Sequence, residues 1–293
     1  LRPVWEEEPR RAGLAAKGTV LVLACAAILF PLWIVIVTSM SSVKTITEAG
    51  GLVVVPRGIT LVAYQELLGG GQVTRAALVS VGVTTIGTVF SMTVSVLCAY
   101  GLSRSGSLLH RPLLVTLLAT MFFGAGLIPT YLLVQGLGLT DTYLSLILPS
   151  AVSVFNILVL RAFFMSVAPE LLDSARIDGA GDVRILWTII MPLSRAVLAV
   201  IALFYAVGYW SAWFNASIYL SDQNMMPLQN VMMQLVLKQE RPTGLAQAIN
   251  TGQLSPLSIQ MAVMVLALLP VAVLSPFVQR HFKKGMLTGA VKG

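Results

Sequence analysis

Between Lys17 and Lys44 the chain carries no charged residue, and what lies there is almost wholly apolar. About 20 consecutive apolar residues suffice for a helix to cross the hydrocarbon of a bilayer. The stretch from about 18 to 39 therefore reads as a membrane span, with Pro31 as an expected kink. It is too long for a removed signal peptide and lacks the small-residue cleavage site of one.

The same reading recurs along the chain. Further spans are expected at about 76–102, 112–134, 142–164, 193–220 and 256–278. These six transmembrane helices set the expected fold class, an all-α membrane protein. The second span is rich in Val, Thr, Ser and Gly, whose small side chains let membrane helices approach closely. Gly124, Gly126 and Pro129 predict a break in the outer half of the third. A polar segment, 1–17, precedes the spans, and a basic tail, 281–293, follows them. Leu61–Leu68 reads as a short surface helix within the first loop. Gln135 and Asp141 sit where the third and fourth spans are joined and are expected to cap or turn the chain.

Charge decides the orientation. The chain is 57% hydrophobic and 11% charged, against about 25% charged in an average soluble domain, which excludes a soluble single-core protein. A net charge of +7 would suit a nucleic-acid partner, but its distribution explains it otherwise. Six spans put both termini on one side, and fourteen of the 19 lysines and arginines fall there. The positive-inside rule then places the termini and the loop after the fourth span in the cytoplasm. No nucleic-acid partner is required. Arg161, near the inner end of the fourth span, reads as snorkelling to the headgroups.

Several kinds of chemistry find no residues to carry them. Cys25 and Cys98 both lie in spans and read as packing residues rather than a disulfide. His110 and His281 are far apart, and no Cys, His, Asp and Glu cluster has metal-ligand spacing. There is no G-x-x-x-x-G-K-[ST] phosphate loop and no H-E-x-x-H pair. The expected catalytic residues, metal ligands and bound cofactors are therefore none. An ion-coupled secondary transporter usually places acids inside its spans, and none lies deep in a span here.

The charge that does exist gathers in PELLDSARIDGAGDVRILWTIIMPL, Pro169 to Leu193. Leu171, Leu172, Ala175 and Ile177 lie among Glu170, Asp173, Arg176 and Asp178, as in an amphipathic helix. Gly179 and Gly181 then break it. A second helix, Asp182 to Ile190, is expected to start on Asp182 as N-cap, and Pro192 to open the next span. Asp178 reads both as a capping or turn residue and as a surface acid.

This layout resembles the cytoplasmic loop of importer-type ABC permeases, whose pattern is Glu-Ala-Ala, two residues, Asp-Gly-Ala, a gap, and Ile-x-Leu-Pro. Here it reads Asp173-Ser174-Ala175, Arg176-Ile177, Asp178-Gly179-Ala180, then Ile189-Ile190-Met191-Pro192. Asp173, Ser174 and Met191 depart from it mildly. Thr120 to Asn156, Leu203 to Leu220 and the ending Lys283 to Gly293 are similar to the carbohydrate subgroup, including maltose-importer-type and alginate-importer-type permeases.

The resemblance implies a six-span permease domain, 18–280, with a coupling loop at 166–192, in the bacterial cytoplasmic (inner) membrane. It implies a second, homologous permease, an ATPase dimer that binds ATP and Mg, and an external solute-binding protein. The cargo would be an oligosaccharide, with acidic polymers such as alginate among the candidates. Glu170, Asp173, Ser174, Ala175, Asp178, Gly179 and Ala180 would meet the ATPase. For the substrate pathway the residues offer Tyr205 and Tyr209, one helical turn apart, with Trp210 and Trp213. Such rings carry a polar handle suited to sugars, but the same stripe would serve as packing or as an interfacial belt. Asn156 is costly in lipid and should face protein or water. A permease for a non-sugar solute is the alternative reading, and a secondary transporter a weaker one.

Overall fold

The computed structural model describes residues 11–69, 71–104, 109–237, 249 and 252–289. The first ten residues, most of the expected outer loop after 237 and the last four residues of the tail lie outside these. Among the described residues every element is a helix, with one isolated antiparallel bridge, Ser41 to Ile59. Two compact units are present, one of 1–71 with 240–266 and one of 72–239 with 267–293.

In the first unit, α1 (Arg11–Ser39) is apolar all round and almost wholly uncovered, as a helix facing lipid would be. Only its last turn is buried, against a small lobe that holds α2 (Val43–Glu48) and α3 (Val62–Leu68). Val37, Ile46 and Val53 form the lobe's core, with Leu257 packed on it. The Thr38 hydroxyl accepts from the Val53 N–H at 3.0 Å, and Ser39 Oγ lies 2.7 Å from the Tyr64 hydroxyl. The expected surface helix at Leu61–Leu68 is α3.

The second unit is built on α4 (Gln72–Ser103), an unbroken rod. Ser80, Gly87, Ser91, Ser95 and Ala99 lie buried along it at helical spacing. This stripe of small residues receives α12 (Arg195–Trp210). A Cβ added at Gly87 would lie 2.9 Å from the Tyr209 ring, so only glycine permits this approach. Two rungs cross the seam: Ser91 Oγ to the Tyr209 hydroxyl and Ser95 Oγ to the Tyr205 hydroxyl, each 2.7 Å.

Among the described residues three stretches, Gly13–Ser39, Gln72–Ser103 and Pro256–Val273, are long and apolar enough to cross a membrane. Bent helix pairs bring the total to as many as six. The third expected span is α5 (His110–Phe122) and α6 (Leu127–Gly136), bent by 117°. Gly126 sits in the break at φ +86°, a backbone state that favours glycine. The fourth is α7 (Leu144–Ile147), extended by a 3-10 turn to Ser150, then α8 (Val154–Met165), bent by 53°.

The fifth departs most from expectation. After α9 (Pro169–Ile177), α10 (Asp182–Ile185) runs through a π-helical turn, Leu186–Ile190, into α11 (Met191–Leu193). The chain then turns by 87° into α12. Pro192 therefore lies within α11, and the span's helix opens at Arg195 instead. It ends at Trp210, and a separate α13 (Trp213–Tyr219) completes the stretch. Gly181, with extended backbone, is the N-cap residue of α10; Asp182 is its first helical residue. Next come α14 (Leu228–Leu237) and α15 (Pro256–Gly289).

Candidate functional site

The loop between α8 and α12 is the first candidate site. Pro169 in the first turn of α9 costs no hydrogen bond, and Glu170 and Arg176 complement the helix dipole at the two ends. Asp178 closes α9 as its C-cap. Gly179 follows at φ +76°, where a side chain would be strained, and the Ala180 N–H reaches back to the Ala175 carbonyl at 2.9 Å. Of the two glycines, Gly179 is thus the one whose backbone demands it.

No residue of α9 is buried. Glu170, Asp173, Ser174, Asp178 and Gly179 are exposed, while Ala175 and Ala180 are half-buried. Asp173 pairs within the helix with Arg176 at 3.1 Å, so its carboxylate is already partly neutralised. Ile177 is 87% exposed and Val183 73% exposed, and Leu171 is also uncovered. These apolar side chains are left bare on an otherwise charged loop. The second half of the loop is anchored: Arg104 Nη1 lies 2.6 Å from Asp182 Oδ1, and the Tyr100 hydroxyl donates to the Asp182 carbonyl at 3.0 Å.

The second candidate is a cavity of about 480 Å³ lined by residues from the start of α8 and from α12, α13 and the turn between them, a volume ordinary for ligand clefts. Ser150, Ser153, Asn156, Ser211 and Asn215 supply its polar groups, and Phe204 and Phe214 its apolar wall. The Asn156 side chain makes no hydrogen bond to another described residue, while its backbone N–H is capped by Ser153 at 3.4 Å.

The sequence-selected aromatics divide between wall and packing. Tyr205 and Tyr209 line the cavity, yet they are 5% and 6% exposed. Their hydroxyls are committed within the protein. Tyr205 also accepts from the Ser153 N–H at 3.1 Å, and Tyr209 donates to the Ile147 carbonyl at 3.0 Å. Trp210 lines a different, mostly apolar cavity of about 160 Å³, and its Nε1 donates to the Ala267 carbonyl at 2.8 Å. Trp213 is exposed and stands edge-on to Phe214. Phe204, Ser150 and Ser153 went unread because nothing in their local pattern separates them from packing residues.

Two polar residues do more than the sequence suggested. Arg161 Nε donates to the Leu102 carbonyl at 2.8 Å, tying α8 to the end of α4. The Asp141 carboxylate accepts from the backbone N–H groups of Ser221 and Asp222, pinning the α6–α7 turn to the end of α13.

Residues 91–288 match the family described as binding-protein-dependent transport system inner membrane component. The chain is 40% identical over 277 residues to the polygalacturonan/rhamnogalacturonan transport system permease protein YtcP of Bacillus subtilis (strain 168), covering 94% of this chain and 96% of that one. A solved chain from a bacterial ABC transporter involved in the import of the acidic polysaccharide alginate superposes with a TM-score of 0.88 at 29% identity, covering 96% of this chain and all of that one. A second, from a bacterial alginate ABC transporter in complex with an alginate pentasaccharide-bound periplasmic protein, is 15% identical, covers 92% of this chain and 96% of its own, has a TM-score of 0.54, and shares the fold. With a bent-helix membrane fold and a free loop of the importer pattern, the chain belongs to the binding-protein-dependent transport family, the permease subunits of ABC importers.

Proposed function

We propose that this chain is one of two permease subunits of an ATP-driven importer that carries oligosaccharides of acidic polymers across the bacterial cytoplasmic membrane. The observation that carries the reading is the free loop: an exposed α9, a glycine turn and bare Ile177 and Val183 in the family's own spacing. The relatives supply the substrate class, since one is named for polygalacturonan and rhamnogalacturonan and a solved one for alginate.

An external binding protein delivers the sugar, and an ATPase dimer on the other side holds ATP and Mg. The loop 169–192 seats in a groove of that ATPase. When the ATPases close, the loop moves as a body and swings the helices joined to it, α8 before it and α10–α12 after it, a hinge-type step. The cavity lies between those helices. Its serines and asparagines suit sugar hydroxyls, and Phe204 and Phe214 suit the C–H faces of the rings. None of its lining residues is charged, so a uronate carboxylate would be met there by neutral donors.

Both termini and the loop face the cytoplasm in this reading. Single cysteines at Ser42 and Gln223 should label from outside intact cells, and one at Ser174 only after permeabilisation. Proteoliposomes holding the assembled importer should take up oligogalacturonides or alginate oligomers only with ATP and the binding protein present. Outside labelling at Ser174, or uptake that ignores ATP, contradicts the proposal.

A further inference from the structure

The covalent route from the coupling loop into α12 is poorly built to carry motion. Between α10 and α12 the chain passes a π-helical turn and an 87° bend at Ser194. A stiffer path runs through α4. At one end of this rod, two contacts grip a single loop residue, and a third ties together the two side chains that make them. Arg104 pairs with the Asp182 carboxylate at 2.6 Å. The Tyr100 hydroxyl donates to the Asp182 carbonyl at 3.0 Å. Arg104 also donates to that hydroxyl, with its guanidinium 4.7 Å from the Tyr100 ring centre. Arg161 fastens α8 to the same end through the Leu102 carbonyl.

Further along, Ser95 and Ser91 hold Tyr205 and Tyr209, both in the cavity wall. Beyond them Ser80 accepts from the Leu228 N–H at 2.8 Å, and Arg75 donates to Asn224 at 2.8 Å. One unbroken helix thus touches the loop, the wall and the segment after α13.

We propose that Tyr100 and Arg104 are positioning residues that latch Asp182 to α4, so that α4 moves with the loop and transmits that motion to the cavity wall. The latch rests on the proposed function, because it presumes that the loop receives its motion from an ATPase. The ion pair alone would hold weakly, since Asp182 is largely exposed. The neutral contact from Tyr100 to the Asp182 backbone makes the grip independent of charge. The two parts are therefore separable by substitution.

The test uses the assembled importer in proteoliposomes and reads sugar imported per ATP hydrolysed. Arg104→Gln and Tyr100→Phe should keep the ATPase subunit bound and basal hydrolysis within about twofold, while the ratio falls by about tenfold, the scale of coupling networks. Asp182→Asn should cost less, because its amide oxygen still accepts from Arg104 and the Tyr100 contacts survive, whereas Arg104→Gln loses both the pair and the bond that holds the Tyr100 hydroxyl. Combining Arg104→Asp with Asp182→Arg should restore most of the Arg104→Asp loss. An unchanged ratio in every variant overturns the latch. So does parallel loss of ATPase binding and import, which would make these residues mere supports of the loop's shape. Failure of the docking reading is distinct: Gly179→Trp would then leave ATPase retention and transport intact.

Discussion

The α9 loop and the Tyr205–Tyr209 face of α12 both stand out in the sequence as candidate functional surfaces, and they are built in opposite ways. No side chain of α9 is buried, and its hydrogen bonds are all local. The Tyr205 and Tyr209 rings are nearly buried, and each hydroxyl meets two partners, one across the seam on α4 and one in the α7–α8 stretch. A helix that puts no side chain into the core keeps its whole surface for another protein. A helix face that spends its polar groups on a neighbouring helix has little left for a ligand beyond the edges of its rings. The cavity's available donors come instead from residues beside the tyrosines: Asn156, Ser211 and Asn215.

The largest way to break this contrast is Tyr209→Ala. It empties the contact with Gly87 and strands the Ile147 carbonyl and the Ser91 hydroxyl. Removal of a buried aromatic costs about 3–5 kcal/mol, so the folded yield on size-exclusion chromatography should collapse. Tyr209→Phe keeps the ring and should cost about 1–3 kcal/mol, read as a lower thermal midpoint in detergent. Adding Ser91→Ala should return part of that loss, because the orphaned hydroxyl goes with it. A normally folded Tyr209→Ala that has lost only import would make the tyrosine a substrate platform and erase the contrast.

Asn156→Ala sharpens the other side of it. The amide lines the cavity without a hydrogen-bond partner among the described residues. Its loss should leave the thermal midpoint nearly unchanged while import falls by about two- to tenfold, the scale of one hydrogen bond. A large stability loss with unaltered import would make Asn156 a packing amide.

The two regions were also unequally legible. In the loop, charge pattern, glycine position and spacing restrict one another, because a C-cap at Asp178 needs a residue at φ +76° right after it. The break at Gly126 was readable for the same backbone reason. The seam was not: a tyrosine pair one turn apart fits a pathway and a packing face equally. What decides is Ser91 and Ser95, more than a hundred residues away in sequence. The start of α12 was displaced because Pro192 sits harmlessly in the first turn of α11, so it marked a helix start but the wrong one. Arg104 and Asp182 lie apart in sequence, and no local pattern announces their pairing.

The central claim is that the bare loop is where the ATPase subunit engages this permease. The most direct measurement is retention of that subunit when the complex is purified through the permease, with Asp173→Lys and Gly179→Trp against the unaltered chain. The first reverses a charge on the exposed face, and the second forces a side chain into a backbone state that resists one. Both variants should lose or loosen the ATPase subunit and abolish import, while binding protein and sugar still engage the opposite face. Full retention with normal import in both variants would contradict it.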